Sequence, residues 1–190
     1  MEQIVSGRLE DADGSYWKLY ENAFDDLRSL AVQRHLMLRP EFEELMQDKR
    51  VTKYAIRDEE RGRVAALATA TNELDAVHLI SPEYFERRWP ELYAQKRIWY
   101  VSFVAVEPDY QGTGAMTQLI EMVCRDAGAS SGLICLDICE HETRERLATA
   151  IEQLARTYLP GVRRERLDAQ VYWAYTFPEP GGAQLLPTPA

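Results

Sequence analysis

Val104-Ala105-Val106-Glu107-Pro108-Asp109-Tyr110-Gln111-Gly112-Thr113-Gly114-Ala115-Met116-Thr117-Gln118-Leu119-Ile120 is the stretch on which the fold of this 190-residue chain turns. Its first residues close an apolar segment, Ile98–Val106, which stops at Pro108. A glycine-bearing turn follows. The spacing of Ala115, Leu119, Met122 and Val123 then predicts an amphipathic helix with those residues inward. Glycine lets a backbone come close to a ligand and adopt conformations closed to other residues. In such a strand, turn and helix, the free N–H groups of the turn and the first helical turn converge, with the positive end of the helix dipole behind them. A nest of this kind holds a phosphate or diphosphate without needing a lysine. The stretch is not a Walker A loop, because no Gly-Lys-Ser/Thr follows. Nor is it a dinucleotide fingerprint, because Thr117 stands where Gly-x-Gly-x-x-Gly needs its last glycine.

Upstream, Ile4–Leu9 reads as a short strand, and Tyr16, Tyr20, Ala23, Leu27 and Leu30 recur at helical spacing. Asp13-Gly14-Ser15 supplies a turn and an N-cap for that helix. A second helix is expected after Pro40, burying Phe42, Leu45 and Met46. Val51–Arg57 and Val64–Thr71 read as a hairpin turned by Asp58–Gly62. The alanine-rich second strand implies a neighbour packed closely on it. Residues 72–97 form an insert in which Ser81-Pro82-Glu83 starts a helix that Pro90 divides. Downstream, Leu133–Cys139 reads as a buried strand, and Leu147, Ile151, Leu154 and Tyr158 mark an amphipathic helix ended by Pro160-Gly161. Val162–Leu167 and Gln170–Phe177 read as a last strand pair. The Pro- and Gly-rich tail 178–190 reads as disordered, leaving residues 1–177 as one domain. This order predicts an α/β (α+β) fold: a central mixed β-sheet with helices on both faces.

Composition narrows the function. Apolar residues make up 46% of the chain, enough for a sizeable core. The formal net charge of −9 repels a polyanion and attracts a cationic amine, so no nucleic-acid partner is expected. No apolar run approaches a membrane span, and the start lacks the pattern of a signal peptide. Cys124, Cys135 and Cys139 are odd in number and lie in apolar segments, which reads as reduced thiols in a cytoplasmic protein. His35, His78 and His141 are scattered, so no metal is expected.

From Val51 to Glu140 the chain resembles the GNAT superfamily of acyl-CoA-dependent N-acyltransferases. The resemblance rests on an apolar strand ending in a proline phrase, then Arg/Gln-x-x-Gly-x-Gly/Ala, then an amphipathic helix. Gln111 and Gly114 match, and Met116 departs from the expected Gly/Ala. The resemblance implies splayed parallel strands around Ile98–Val106, with acetyl-CoA or another acyl-CoA as co-substrate. It implies that backbone groups of Phe103, Val104, Ala105 and Val106 pair with the pantetheine arm. It further implies that amides of Gln111, Gly112, Thr113, Gly114, Ala115 and Met116 contact the pyrophosphate. The bland reading of Val104 and Val106 as core is compatible, since side chain and backbone do different jobs.

The implied reaction is direct attack of a small-molecule amine on the thioester in a ternary complex. In several relatives a basic side chain stands eleven residues before the Arg/Gln and a polar one two residues later. Those positions are Tyr100 and Ser102, which share a face by the strand period of two. They are the acceptor-site candidates, and a cross-strand hydroxyl pair is the competing reading. Asp137, Glu140 and His141 end the next strand, and Glu140 joins Tyr100 and Ser102 as a catalytic candidate. Tyr158 reads as core and Cys139 lacks a histidine partner for nucleophilic work. Tyr84, Phe85, Trp89 and Tyr93 of the insert, and then Trp99, read as sealing the sheet, with an apolar acceptor or acyl pocket as the other reading. Two other functions stay open: a long-chain N-acyl amino acid or homoserine lactone synthase-like enzyme fed by acyl carrier protein, and a non-catalytic acyl-CoA-binding module. The resemblance also implies a possible homodimer through the C-terminal strands.

Overall fold

Among the described residues five strands form one sheet in the order β1 (Glu2–Ser6), β2 (Thr52–Asp58), β3 (Arg63–Thr71), β4 (Ile98–Val106) and β5 (Leu133–Leu136). Neighbours are antiparallel except β4 and β5, which run parallel. The structure, a computed structural model, describes residues 1–27, 36–138, 144–158 and 161–169, without the side chains of 144–147.

Strand alternation sends Tyr54, Ile56, Ala66, Ala68 and Ala70 to one face. There α5 (Ala115–Ala129) lays Ala115, Leu119, Met122 and Val123 against them, all four buried. The alanines of β3 are what let a helix lie this close. Tyr54 spans the contact, its hydroxyl donating to Asp126 of α5 at 2.6 Å. The other face is covered by α1 (Ser15–Phe24) and α2 (Arg39–Gln47). Tyr20, Phe42 and Phe103 pack there with ring centroids 4.9 to 6.3 Å apart, the range in which tilted and edge contacts are favourable. A third cluster lies under α3 (Pro82–Arg88) and α4 (Pro90–Ala94), where Phe85 meets Leu74, Ile98, Tyr100 and Cys135. Proline at position 90 does separate these two helices. The last described helix, α6 (Arg144–Tyr158), lies against α5.

Several expectations are corrected. Strand β1 stops at Ser6, because the Gly7 carbonyl turns to the ammonium of Lys53 at 3.0 Å. The cap of α1 is shared: Asp13 accepts from the Ser15 amide at 3.1 Å as expected, and Asp11 adds acceptors for the amides of Tyr16 at 2.9 Å and Trp17 at 2.8 Å. Strand β5 ends at Leu136 and is only half buried, since Asp137 leaves the ladder. Residues 162–167 form no strand. Leu167 packs on the insert cluster and Glu165 pairs with Arg88 at 2.5 Å, so this charged run lies over the insert helices. Leu30, Gln170–Phe177 and the tail lie outside the described residues. Among the described residues no helix is long and apolar enough to cross a membrane.

One feature was invisible in the sequence. Lys53 on β2 has no exposed surface, and its ammonium donates to the carbonyls of Gly7 at 3.0 Å, Asp48 at 2.6 Å and Val51 at 2.8 Å. Burial pushes its pKa down to about 8. Three donors meet three carbonyls, tying the ends of β1 and α2 to the sheet. Lys53→Met keeps the stem but strands those carbonyls, so urea titration is expected to show a loss of about 2–4 kcal/mol. A variant as stable as the parent would show that the ammonium does not hold this corner.

Candidate functional site

The parallel ladder between β4 and β5 is short: Ile98 pairs with Leu133, and the register ends at Val101 with Leu136. Strand β4 continues to Val106, still paired with β3 on its other side. Main-chain groups of Phe103, Val104, Ala105 and Val106 that point away from β3 therefore border a gap, and no strand among the described residues takes them up. At the fork sits Ser102. The β3 register passes from Thr69 opposite Phe103 to Ala70 opposite Val101, so Ser102 is the extra residue of a β-bulge. The alternation resets across it. Trp99 and Val101 face α5 before the bulge, Val104 and Val106 after it, while Tyr100 and Phe103 face the other way. The same bulge leaves Thr69 in place opposite Phe103, and its Oγ1 is the buried side-chain polar atom with no hydrogen-bond partner among the described residues. Thr71, the other buried threonine of β3, differs in that its hydroxyl donates to the Arg50 carbonyl at 2.7 Å.

Beyond the open segment a 3-10 turn (Pro108–Tyr110) leads into the glycine turn. Its direction is fixed by Tyr110, which is buried and donates to Asp58 of the hairpin turn at 2.7 Å. Arg63 adds ion pairs to Glu107 and Asp109, each at 2.9 Å. The amides of Gln111 and Thr113 are spent inside the turn, on Pro108 and Tyr110 carbonyls. Those of Gly112, Gly114, Ala115, Met116 and Thr117 have no acceptor among the described residues, and helical bonding resumes with Gln118 to Gly114. This narrows the expected set of amide donors. Gly112 and Gly114 stand at φ 75° and 89°, the left-handed region, and a Cβ on either would meet nothing within 4 Å. The backbone angle, not crowding, requires glycine there, and the concavity stays open. The Met116 side chain is half buried on α5.

On the face away from α5, the Tyr100 hydroxyl donates to Asp137 Oδ1 at 2.6 Å. Burial, and then this hydrogen bond, raise the Tyr100 pKa well above its usual value, so Tyr100 does not serve as a proton acceptor near neutrality. Asp137 itself is exposed rather than buried. Cys135, across the ladder from Tyr100, is pushed up to about 11 by burial and is inert as a thiol. Tyr158 lies half buried in the last turn of α6. Glu140, with Cys139 and His141, lies outside the described residues. Among the described residues no group of His, Cys, Asp and Glu has the arrangement of a metal site.

A family model described as the acetyltransferase (GNAT) family matches residues 16–149. Among solved structures, a mutant form of a Bacillus halodurans protein is similar with a TM-score of 0.56 at 14% identity, covering 92% of this chain and 100% of its own. An acetyltransferase of Trypanosoma brucei is similar at TM-score 0.53 and 16% identity, covering 90% and 100%. An aminoglycoside 6'-N-acetyltransferase of Acinetobacter haemolyticus is similar at TM-score 0.53 and 12% identity, covering 93% and 99%. These likenesses concern the fold. No curated protein matches the sequence significantly.

Since left-handed backbone strains any L side chain, Gly112→Ala and Gly114→Ala are each expected to lower stability by about 1–2 kcal/mol in urea titration. Unchanged midpoints in both would mean that the turn does not keep these angles in solution.

Proposed function

The chain belongs to the acetyltransferase (GNAT) family, and from that premise we propose that this N-acetyltransferase moves an acetyl group from acetyl-CoA to a primary amine of a small molecule. The observation that carries the reading is the row of unpartnered amides at Gly112, Gly114, Ala115 and Met116, set at the end of the β4–β5 gap. A diphosphate would take up those donors at the helix start. The pantetheine arm would then run along the free edge of Phe103–Val106 in the manner of an added strand. That path brings the thioester to the Ser102 bulge. Gln111 and Thr113 contribute by shaping the turn, since their own amides are committed within it.

The amine attacks the thioester carbon from the face away from α5. A C–N bond forms, the C–S bond breaks, and the pair of electrons leaves with the CoA sulfur. Of the two protons an ammonium must lose, one ends on that sulfur and the other passes to solvent. In this reading Ser102 lies beside the reacting carbonyl, and Glu140 is kept as the other catalytic candidate. Residues 1–177 form the acyltransferase unit, with the insert at 72–97 closing one side. The net charge of −9 favours a cationic acceptor.

The test compares coenzyme A with pantetheine, which lacks the diphosphate. Coenzyme A at millimolar concentration is expected to raise the melting temperature, and pantetheine is expected to leave it unchanged. Acetyl-CoA with a panel of small primary amines is expected to release free thiol. Equal shifts with both ligands, or none with either, would contradict the diphosphate nest. Binding of acetyl-CoA without thiol release would mark a non-catalytic module.

A further inference from the structure

Tyr100 and Asp137 sit where the two parallel strands part. Val101 and Leu136 are the last paired residues, so Asp137 is the first residue of its chain past the ladder, level with Ser102. The ring of Tyr100 is buried under the insert, edge-on to Phe85 with centroids 6.4 Å apart. Its hydroxyl emerges from that apolar packing and donates to Asp137 Oδ1 at 2.6 Å. Asp137 is exposed, and no cation pairs with it among the described residues. Other carboxylates of this region do have cations. Glu73 takes Lys96 at 2.6 Å, Glu165 takes Arg88 at 2.5 Å and Asp75 takes Arg50 at 3.2 Å. An exposed side chain ordinarily samples several rotamers. Here one oxygen is fixed by a donor whose own ring is immobilised in the core, and the other oxygen has no hydrogen-bond donor among the described residues.

We infer that Asp137 is the anion that receives the ammonium group of the acceptor, and that Tyr100 is a positioning residue that aims it. The inference rests on the acetyl-transfer reading above and deepens it, because it names the acceptor class as primary amines that bind as cations. The face matters. Diphosphate would be held at the α5 side of the sheet, whereas Tyr100 and Phe103 face the opposite side. Donor and acceptor therefore meet at the fork from two directions, as direct transfer requires. Asp137 holds the ammonium beside the thioester. When the cation gives up its first proton, the carboxylate loses its partner, and the neutral amine is free to attack.

The experiment measures thiol release from acetyl-CoA with 1,3-diaminopropane, 1,4-diaminobutane and glycinamide as acceptors, alongside calorimetric titration with coenzyme A. Asp137→Asn is expected to raise KM for the best diamine by about tenfold to a hundredfold, the range for losing a hydrogen bond to a charged group. Coenzyme A affinity should stay within about twofold of the parent. Tyr100→Phe should raise KM by about threefold to tenfold with kcat little changed, since the anion remains but is no longer aimed. Asp137→Glu should recover part of the loss, which a merely structural role would not allow. An unchanged KM in Asp137→Asn overturns the assignment, as does a parent that binds coenzyme A yet acetylates none of the amines. Loss of coenzyme A binding in the parent would instead strike the acetyl-transfer reading itself.

Discussion

Parallel pairing between β4 and β5 ends after Val101 and Leu136, and everything distinctive about the molecule follows from that early end. Had the ladder continued, the β5-side main-chain groups of Phe103 to Val106 would be satisfied and closed to any ligand. Two local features stop it. The bulge at Ser102 adds a residue to β4 and changes its twist, and Asp137 turns out of β5 toward Tyr100. The result is a sheet that is continuous on one side of β4 and open on the other.

An open strand edge is useful only if what lies at its end is held still. Here the alanines of β3 bring α5 down onto the sheet, and the first residue of that helix, Ala115, is fully buried. Tyr110 fastens the approach to the turn from below through Asp58, and Arg63 adds surface ion pairs. The two kinds of contact are unequal. Exposed ion pairs contribute at most about 1 kcal/mol, whereas burying a tyrosine ring removes a large apolar area from water and orders the backbone beside it. The amides of Gly112, Gly114, Ala115 and Met116 thus converge on a rigid base, preorganised before any anion arrives.

The sequence made the central part of this arrangement readable, because local chemistry controls it. Ile98–Val106 is a run of apolar residues, proline ends it, and glycines at 112 and 114 stand where the chain takes left-handed angles. Periodicity also placed the buried face of α5 correctly at Ala115, Leu119, Met122 and Val123. What the sequence hid depends on register. A bulge adds no signature residue, so the interruption of the β4 alternation at Ser102 shows only in the register, where Thr69 faces Phe103 and Ala70 faces Val101. The bond from Tyr100 to Asp137 joins residues 37 apart and could not be read from spacing. Nothing in the spacing around Lys53 marks it as buried, and only the fold brings the Gly7, Asp48 and Val51 carbonyls around it. Val162–Leu167 misled in the opposite sense, reading as a strand where Glu165 instead pairs with Arg88 and Leu167 packs on the insert cluster.

The most direct test follows individual main-chain amides. In the amide spectrum of the nitrogen-15-labelled protein, titration with coenzyme A should displace the signals of Gly112, Gly114, Ala115 and Met116 downfield. Those of Thr113 and Gln118, already bonded within the chain, should move far less. Binding that left these four signals in place, or that moved only residues far from the fork, would contradict the claim that the glycine turn and the start of α5 grip the diphosphate.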